Sequence, residues 1–144
     1  MNIRLYTPAD RDRVLEIWLA ASRVGHPFLT ESELETQFAA VRDIYLPQAE
    51  NWVAEKNGHI LGFIGLLDSF IGGMFVDPAA HGSGVGRALI EHAAKRKGRL
   101  TLDTYADNPM GPPFYRRCGF IEVGRKPHDD EGRAREVIQM VRPA

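Results

Sequence analysis

Residues 76–87 read Val-Asp-Pro-Ala-Ala-His-Gly-Ser-Gly-Val-Gly-Arg and constrain the fold more than any other stretch of the chain. An apolar run from Ile71 to Val76 reads as a strand and is closed by Pro78. Glycines follow at 82, 84 and 86, and a helical pattern begins behind them. Positions without Cβ atoms let loop N–H groups approach a ligand closely. A helix start adds four unpaired N–H groups and the positive end of a dipole. Such a strand, loop and helix form a cradle for pyrophosphate.

Spacing separates the phosphate-binding patterns that could apply. A P-loop needs Gly-x-x-x-x-Gly-Lys-Ser/Thr, whereas here Arg87-Ala88 follow the last glycine. A dinucleotide loop needs Gly-x-Gly-x-x-Gly near the chain start, whereas here the third glycine comes one residue early and past mid-chain. The remaining pattern is Gln/Arg-x-x-Gly-x-Gly/Ala, with His81 at its first position. A second segment, 108–120, reads Asn-Pro-Met-Gly-Pro-Pro-Phe-Tyr-Arg-Arg-Cys-Gly-Phe. With one helix and one strand between them, the two segments resemble the acetyl-CoA motifs of the GNAT superfamily of N-acetyltransferases. Asn108, Gly111, Phe114, Tyr115, Gly119 and Phe120 fall on the second motif. Weaker similarity covers the whole chain, including Gly25-His26-Pro27-Phe28-Leu29 and the turn and final apolar strand from Asp129 to Val141.

The resemblance implies that residues 81–87 (His81, Gly82, Ser83, Gly84, Val85, Gly86 and Arg87) cradle the CoA pyrophosphate. It implies that the backbone at Phe75 and Val76 holds the pantetheine and polarises the acetyl carbonyl. Asn108 would hold the pantetheine arm, and the Tyr115 hydroxyl would face the thioester sulfur and protonate the departing thiolate. A phenol of reference pKa about 10 carries its proton at neutral pH, which suits that task. The chain departs from the pattern at His81, where Gln or Arg is usual, and at Gly111, where Ala is usual. Pro112-Pro113 behind Gly111 predict a short helix over 112–118.

Length and patterning bound the rest. At 144 residues the chain reads as one domain, 1–144. Its apolar runs break well short of a membrane span, and Met-Asn-Ile-Arg-Leu-Tyr opens without a signal-peptide apolar core. The single cysteine, Cys118, rules out an intramolecular disulfide and suits a reducing cytoplasm. Net charge is −1 with no extended basic patch, which argues against nucleic acid as a partner. The histidines show no metal-ligand spacing, so no metal is expected. A monomer or a homodimer fits equally.

Residues 2–6 alternate as a strand. Thr7-Pro8 starts a helix with Asp10 at its third position, and Val14, Ile17, Trp18 and Ala21 give its stripe. Thr30 with Glu33 forms a capping box before Leu34, Phe38 and Val41, and Pro47 is read as the stop. Strands over 52–55 and 60–67 join at Asn57-Gly58, and Asp68-Ser69 is the next turn. Gly72-Gly73 in the strand 71–76 suggest a bulge. Helix 84–96 is expected to bury Val85, Ala88, Leu89, His92 and Ala93. Strands over 100–105, 120–125 and 135–142 complete the order β-α-α-β-β-β-α-β-α-β-β. This α/β (α+β) reading gives a mixed, largely antiparallel sheet of about seven strands with helices on both faces.

The acceptor wall is read as His26, Phe28 and Asp68, with the acidic turn Asp129-Asp130-Glu131 as a possible attractor for a cation. His26 is the candidate general base, because its reference pKa near 6.5 permits that role at neutral pH; Glu55 and Asp68 are further candidates. The expected activity is acetyl transfer to a primary amine by direct attack in a ternary complex. Protein Nα- or lysine acetylation, a CoA-sensing module without catalysis, and ATP binding by the glycine loop stand as alternatives.

Overall fold

The computed structural model describes residues 1–144. β1 (Asn2–Leu5) leads through a 3-10 turn, Pro8–Asp10, into α1 (Arg11–Gly25). The Asp10 carboxylate accepts from the Thr7 N–H at 2.8 Å and from Arg4 Nη1 at 2.8 Å, so the helix start is tied to β1. α2 (Glu31–Ala40) opens on the expected capping box: the Thr30 hydroxyl accepts from the Glu33 N–H at 3.1 Å, and the Glu33 carboxylate accepts from the Thr30 N–H at 3.0 Å. The helix then widens into a π turn, Val41–Tyr45, and ends in one further turn, α3 (Leu46–Gln48). Pro47 stands within that last turn, behind the π turn, and the helix ends one residue beyond it at Gln48.

β2 (Glu50–Lys56), β3 (His59–Leu67) and β4 (Phe70–Val76) form a meander. Its two hairpin turns carry left-handed residues, Asn57 (φ 52°) with Gly58 (φ 79°) and then Asp68 (φ 53°), as two-residue hairpins require. α4 (Val85–Lys97), β5 (Leu100–Tyr105), α5 (Gly111–Arg117), β6 (Ile121–Lys126) and β7 (Val137–Arg142) follow. The seven strands take the order β1-β2-β3-β4-β5-β7-β6, all neighbours antiparallel except β4 and β5. α5 lies one residue earlier than Pro112-Pro113 imply, with both prolines in its first turn.

Strand alternation supplies two cores. Trp52, Ala54, Ile64 and Leu66 face α4, whereas Val53 and Phe63 face α1 and α2. α4 buries Val85, Gly86, Leu89, Ile90 and Ala93, so its stripe is rotated from the expected one. Gly86 and Ile90 replace Ala88 and His92 at the centre, because Gly86 lets the helix press against Phe114: a Cβ there would stand 2.9 Å from that ring. His92 packs at the margin with its ring 4.4 Å from that of Trp52.

Two irregularities position the site. β4 and β5 stay in register only at Phe70–Thr101 and Ile71–Leu102, and then separate. On the other side of β4 the register shifts: Leu66 pairs with Ile71, but Gly65 pairs with Gly73, which leaves Gly72 as the bulged residue. The end of β4 therefore has β3 on one side and a cleft on the other.

Candidate active site

A continuous cavity of about 970 Å³ fills that cleft and extends over the sheet face beneath α1, α2 and α3. One end is the glycine loop. Gly82 and Gly84 take φ +80° and +88°, and a Cβ on either would meet nothing within 4 Å. The glycines are thus required by backbone conformation, and the space beside them is open. Gly84 caps α4, so the N–H groups of Val85, Gly86 and Arg87 have no acceptor within the helix.

The loop is anchored to α1 and to the end of β4. Arg13 of α1 holds Asp77 at 2.7 Å, and the other oxygen of Asp77 accepts from the Ala79 N–H at 3.0 Å. His81 Nε2 lies 3.1 Å from the Val76 carbonyl, so the imidazole at the motif's first position ties the loop to the strand end. Ser83 donates its hydroxyl to the Ala80 carbonyl and does not line the cavity. Arg87 lines the cavity while donating to the Arg117 carbonyl at 3.2 Å.

Phe75 and Val76 line the cleft where β4 leaves β5. The Phe75 ring packs on Phe63 and Trp18, at 5.4 and 6.2 Å between centroids, and lies over Gly73. Opposite, Asn108 Oδ1 accepts from the N–H groups of Met110 and Gly111, both at 2.9 Å, and so caps α5. Its Nδ2 makes no hydrogen bond within the protein, and the residue lines the cavity. A Cβ at Gly111 would stand 2.8 Å from that Nδ2, which explains glycine where alanine is usual. Tyr115 of α5 lines the cavity with no hydrogen-bonding partner shifting its phenol; burial pushes the pKa up to about 12.

The acceptor end differs from the sequence reading. His26 lines the cavity, but burial pulls its pKa down to about 4, and Nδ1 is buried without a partner. Burial holds His26 neutral, and a base of that strength has little driving force to take a proton from an ammonium. Phe28 stands behind it, against His26 and Tyr105 at 5.8 and 5.2 Å, and does not line the cavity. Asp68 sits exposed in the β3–β4 turn, and Glu55 is held by Arg4 at 3.0 Å; neither lines the cavity.

Sequence reading missed Tyr105. Its hydroxyl donates to Asp129 Oδ2 at 2.8 Å, and its ring meets His26 edge-on at 5.2 Å. Burial and the adjacent carboxylate push this phenol well above its ordinary pKa. The only sequence signal was its place at the end of the β5 strand. Asp103, Asp129, Asp130 and Glu131 line the cavity, and the cations that pair with them, Lys126 and Arg133, stand behind. Four carboxylates against two cations leave this wall negative.

Known proteins are similar to this chain in sequence and in fold. The acetyltransferase (GNAT) domain family matches residues 47–122. The peptidyl-lysine N-acetyltransferase YiaC of Escherichia coli is 38% identical over 119 residues, covering 82% of each chain. The peptidyl-lysine N-acetyltransferase YjaB of the same organism is 30% identical over 141 residues, 97% of this chain and 95% of that one. The solution structure of apo YjaB superimposes with a TM-score of 0.90 at 29% identity, over 99% of this chain and 98% of that one. In yncA of Salmonella typhimurium, solved with its cofactor acetyl-CoA, the fold recurs with a TM-score of 0.68 at 22% identity, over 98% of this chain and 92% of that one.

Proposed function

The chain belongs to the GNAT family and is an N-acetyltransferase that moves an acetyl group to an amine, and from that premise we propose that its acceptor is a lysine side chain in a polypeptide, acetylated by direct attack in a ternary complex. The observation that carries this reading is the single cavity. It joins the glycine cradle to an acidic wall, so donor and acceptor can be present together without an acyl-enzyme. The names of the relatives YiaC and YjaB point to the same acceptor.

The residues present fit acetyl-CoA. The open space at Gly82 and Gly84 and the unpaired N–H groups at Val85, Gly86 and Arg87 suit pyrophosphate. The free edge of β4 at Phe75 and Val76, with Asn108 Nδ2 across the cleft, suits the amide-bearing pantetheine. Acetyl-CoA supplies the acetyl group as a thioester. The acidic wall gathers the lysine ammonium from solution. Attack requires the neutral amine, because an ammonium has no lone pair. Tyr115 keeps its proton at neutral pH and donates it toward the thioester sulfur as thiolate character develops.

The reading is tested by incubating the protein with acetyl-CoA and a lysine-containing peptide blocked at its N-terminus. A gain of one acetyl on the lysine, located by mass spectrometry, is the expected product. Acetylation only of free α-amines would replace lysine by the Nα-acetyl reading.

A further inference from the structure

The reaction uses the end of β4, yet the cavity continues across the sheet, past the Phe75 ring and over Gly65, to Asn51. Register places Asn51 opposite Gly65, and Gly65 opposite Gly73. Two adjacent strands thus carry no Cβ at this level; the Phe75 ring covers Gly73, and Gly65 is left as the floor of a trough beside Asn51. Asn51 forms its far wall and is only 6% exposed. Its amide orientation is fixed, because one end approaches two carbonyls, Leu46 at 2.9 Å and Ala49 at 3.1 Å, and must therefore be Nδ2. The other end is Oδ1. It takes no donor from the protein and faces the floor: a Cβ at Gly65 would stand 2.9 Å from it. With Nδ2 held by two carbonyls and Oδ1 accepting nothing from the protein, the open acceptor faces the cavity, where an entering N–H group can pair with it.

Position decides where on the acceptor that N–H belongs. Two strand spacings of about 4.8 Å and two residues of about 3.4 Å put Asn51 roughly 12 Å from Phe75. An extended lysine stem covers about 6 Å, and each further residue adds about 3.8 Å. We propose that Asn51 Oδ1 accepts a backbone N–H of the acceptor polypeptide, one or two residues from the acetylated lysine. This rests on the peptide-lysine reading above. A neutral carboxamide oxygen matches a peptide N–H, whereas a second ammonium, as in a polyamine, would be matched by a carboxylate. Tyr45 and Leu67 flank the trough, 50% and 49% exposed, and offer apolar surface to the neighbouring residues of a polypeptide.

The test uses a lysine peptide, the same peptide N-methylated at each backbone nitrogen near the lysine, Nα-acetyl-lysine and spermidine. The enzymes are wild type and Gly65→Ala, which fills the floor beside Oδ1. On wild type, one N-methyl position should lower kcat/KM about tenfold, the effect of one lost hydrogen bond. In Gly65→Ala the preference for the parent peptide over Nα-acetyl-lysine should fall by a similar factor, through KM, and the N-methyl penalty should disappear. A flat N-methyl scan on wild type overturns the subsite and needs no variant. A penalty that persists in Gly65→Ala also overturns it, while lysine acetylation itself stands. Turnover of spermidine with none of any peptide overturns the peptide reading, and the subsite with it.

Discussion

Tyr115 and His26 both line the cavity and are both shifted by burial, but the same physics gives them opposite uses. Burial disfavours the charged form of either group. For a phenol this secures the proton, with the pKa pushed up to about 12, and leaves a donor. For an imidazole it removes the proton, with the pKa pulled down to about 4, and leaves a weak base. Tyr115→Phe should therefore lower kcat by about 10²-fold, the low end for a lost acid–base group. Acetyl-CoA affinity, measured by calorimetry, should be unchanged. His26→Gln should leave the shape of the pH–rate profile unaltered. In both enzymes kcat/KM should rise with pH from 6 to 9 as the acceptor amine, of reference pKa about 10.4, loses its proton. An inflection near 6.5 in wild type that vanishes in His26→Gln would restore His26 as the base.

At the scale of elements, the site is made where regular structure is broken. β4 bulges at Gly72, parts from β5 after Ile71, and hands the chain to a loop whose glycines have positive φ. Gly84→Ala places a Cβ in the open cradle and forces a left-handed alanine, a strain of about 1 kcal/mol. It should raise the KM for acetyl-CoA several-fold with kcat retained, as measured by varying acetyl-CoA at saturating peptide. The cradle was legible in the sequence because its chemistry is local: strand, proline, glycines and helix start are consecutive. The hairpin turns and the Thr30 capping box were legible for the same reason. The acceptor wall was not. Tyr105 meets Asp129 only through the β5–β7 pairing and the turn beyond it, and Asn51 meets the glycine floor only through the register of three strands. The rotation of the α4 stripe toward Gly86 likewise depends on Phe114 of another helix. Asp68 lies in the turn at the far end of β4 from the glycine loop.

The whole molecule is a sheet buried on both faces, with the cavity cut between its two halves where one parallel pair parts. That architecture links stability to the site. The folded His26 pKa, about 4, lies below its ordinary 6.5, so between these values the unfolded chain binds more protons. This contribution is fully present above pH 6.5 and is lost as pH falls toward 4, amounting to about 3 kcal/mol at most. Urea denaturation at pH 7 and pH 4.5 should show lower stability at the acid pH, with a smaller difference in His26→Gln. His92 shifts in the same direction and keeps part of the slope. The central claim is that one cavity brings acetyl-CoA and a polypeptide lysine together for direct transfer. Initial-rate kinetics with both substrates varied test it most directly. Intersecting double-reciprocal lines, with acetyl-lysine as product and turnover reduced in Tyr115→Phe, are the predicted result. Parallel lines, with acetyl retained on the protein after acetyl-CoA alone, would contradict it.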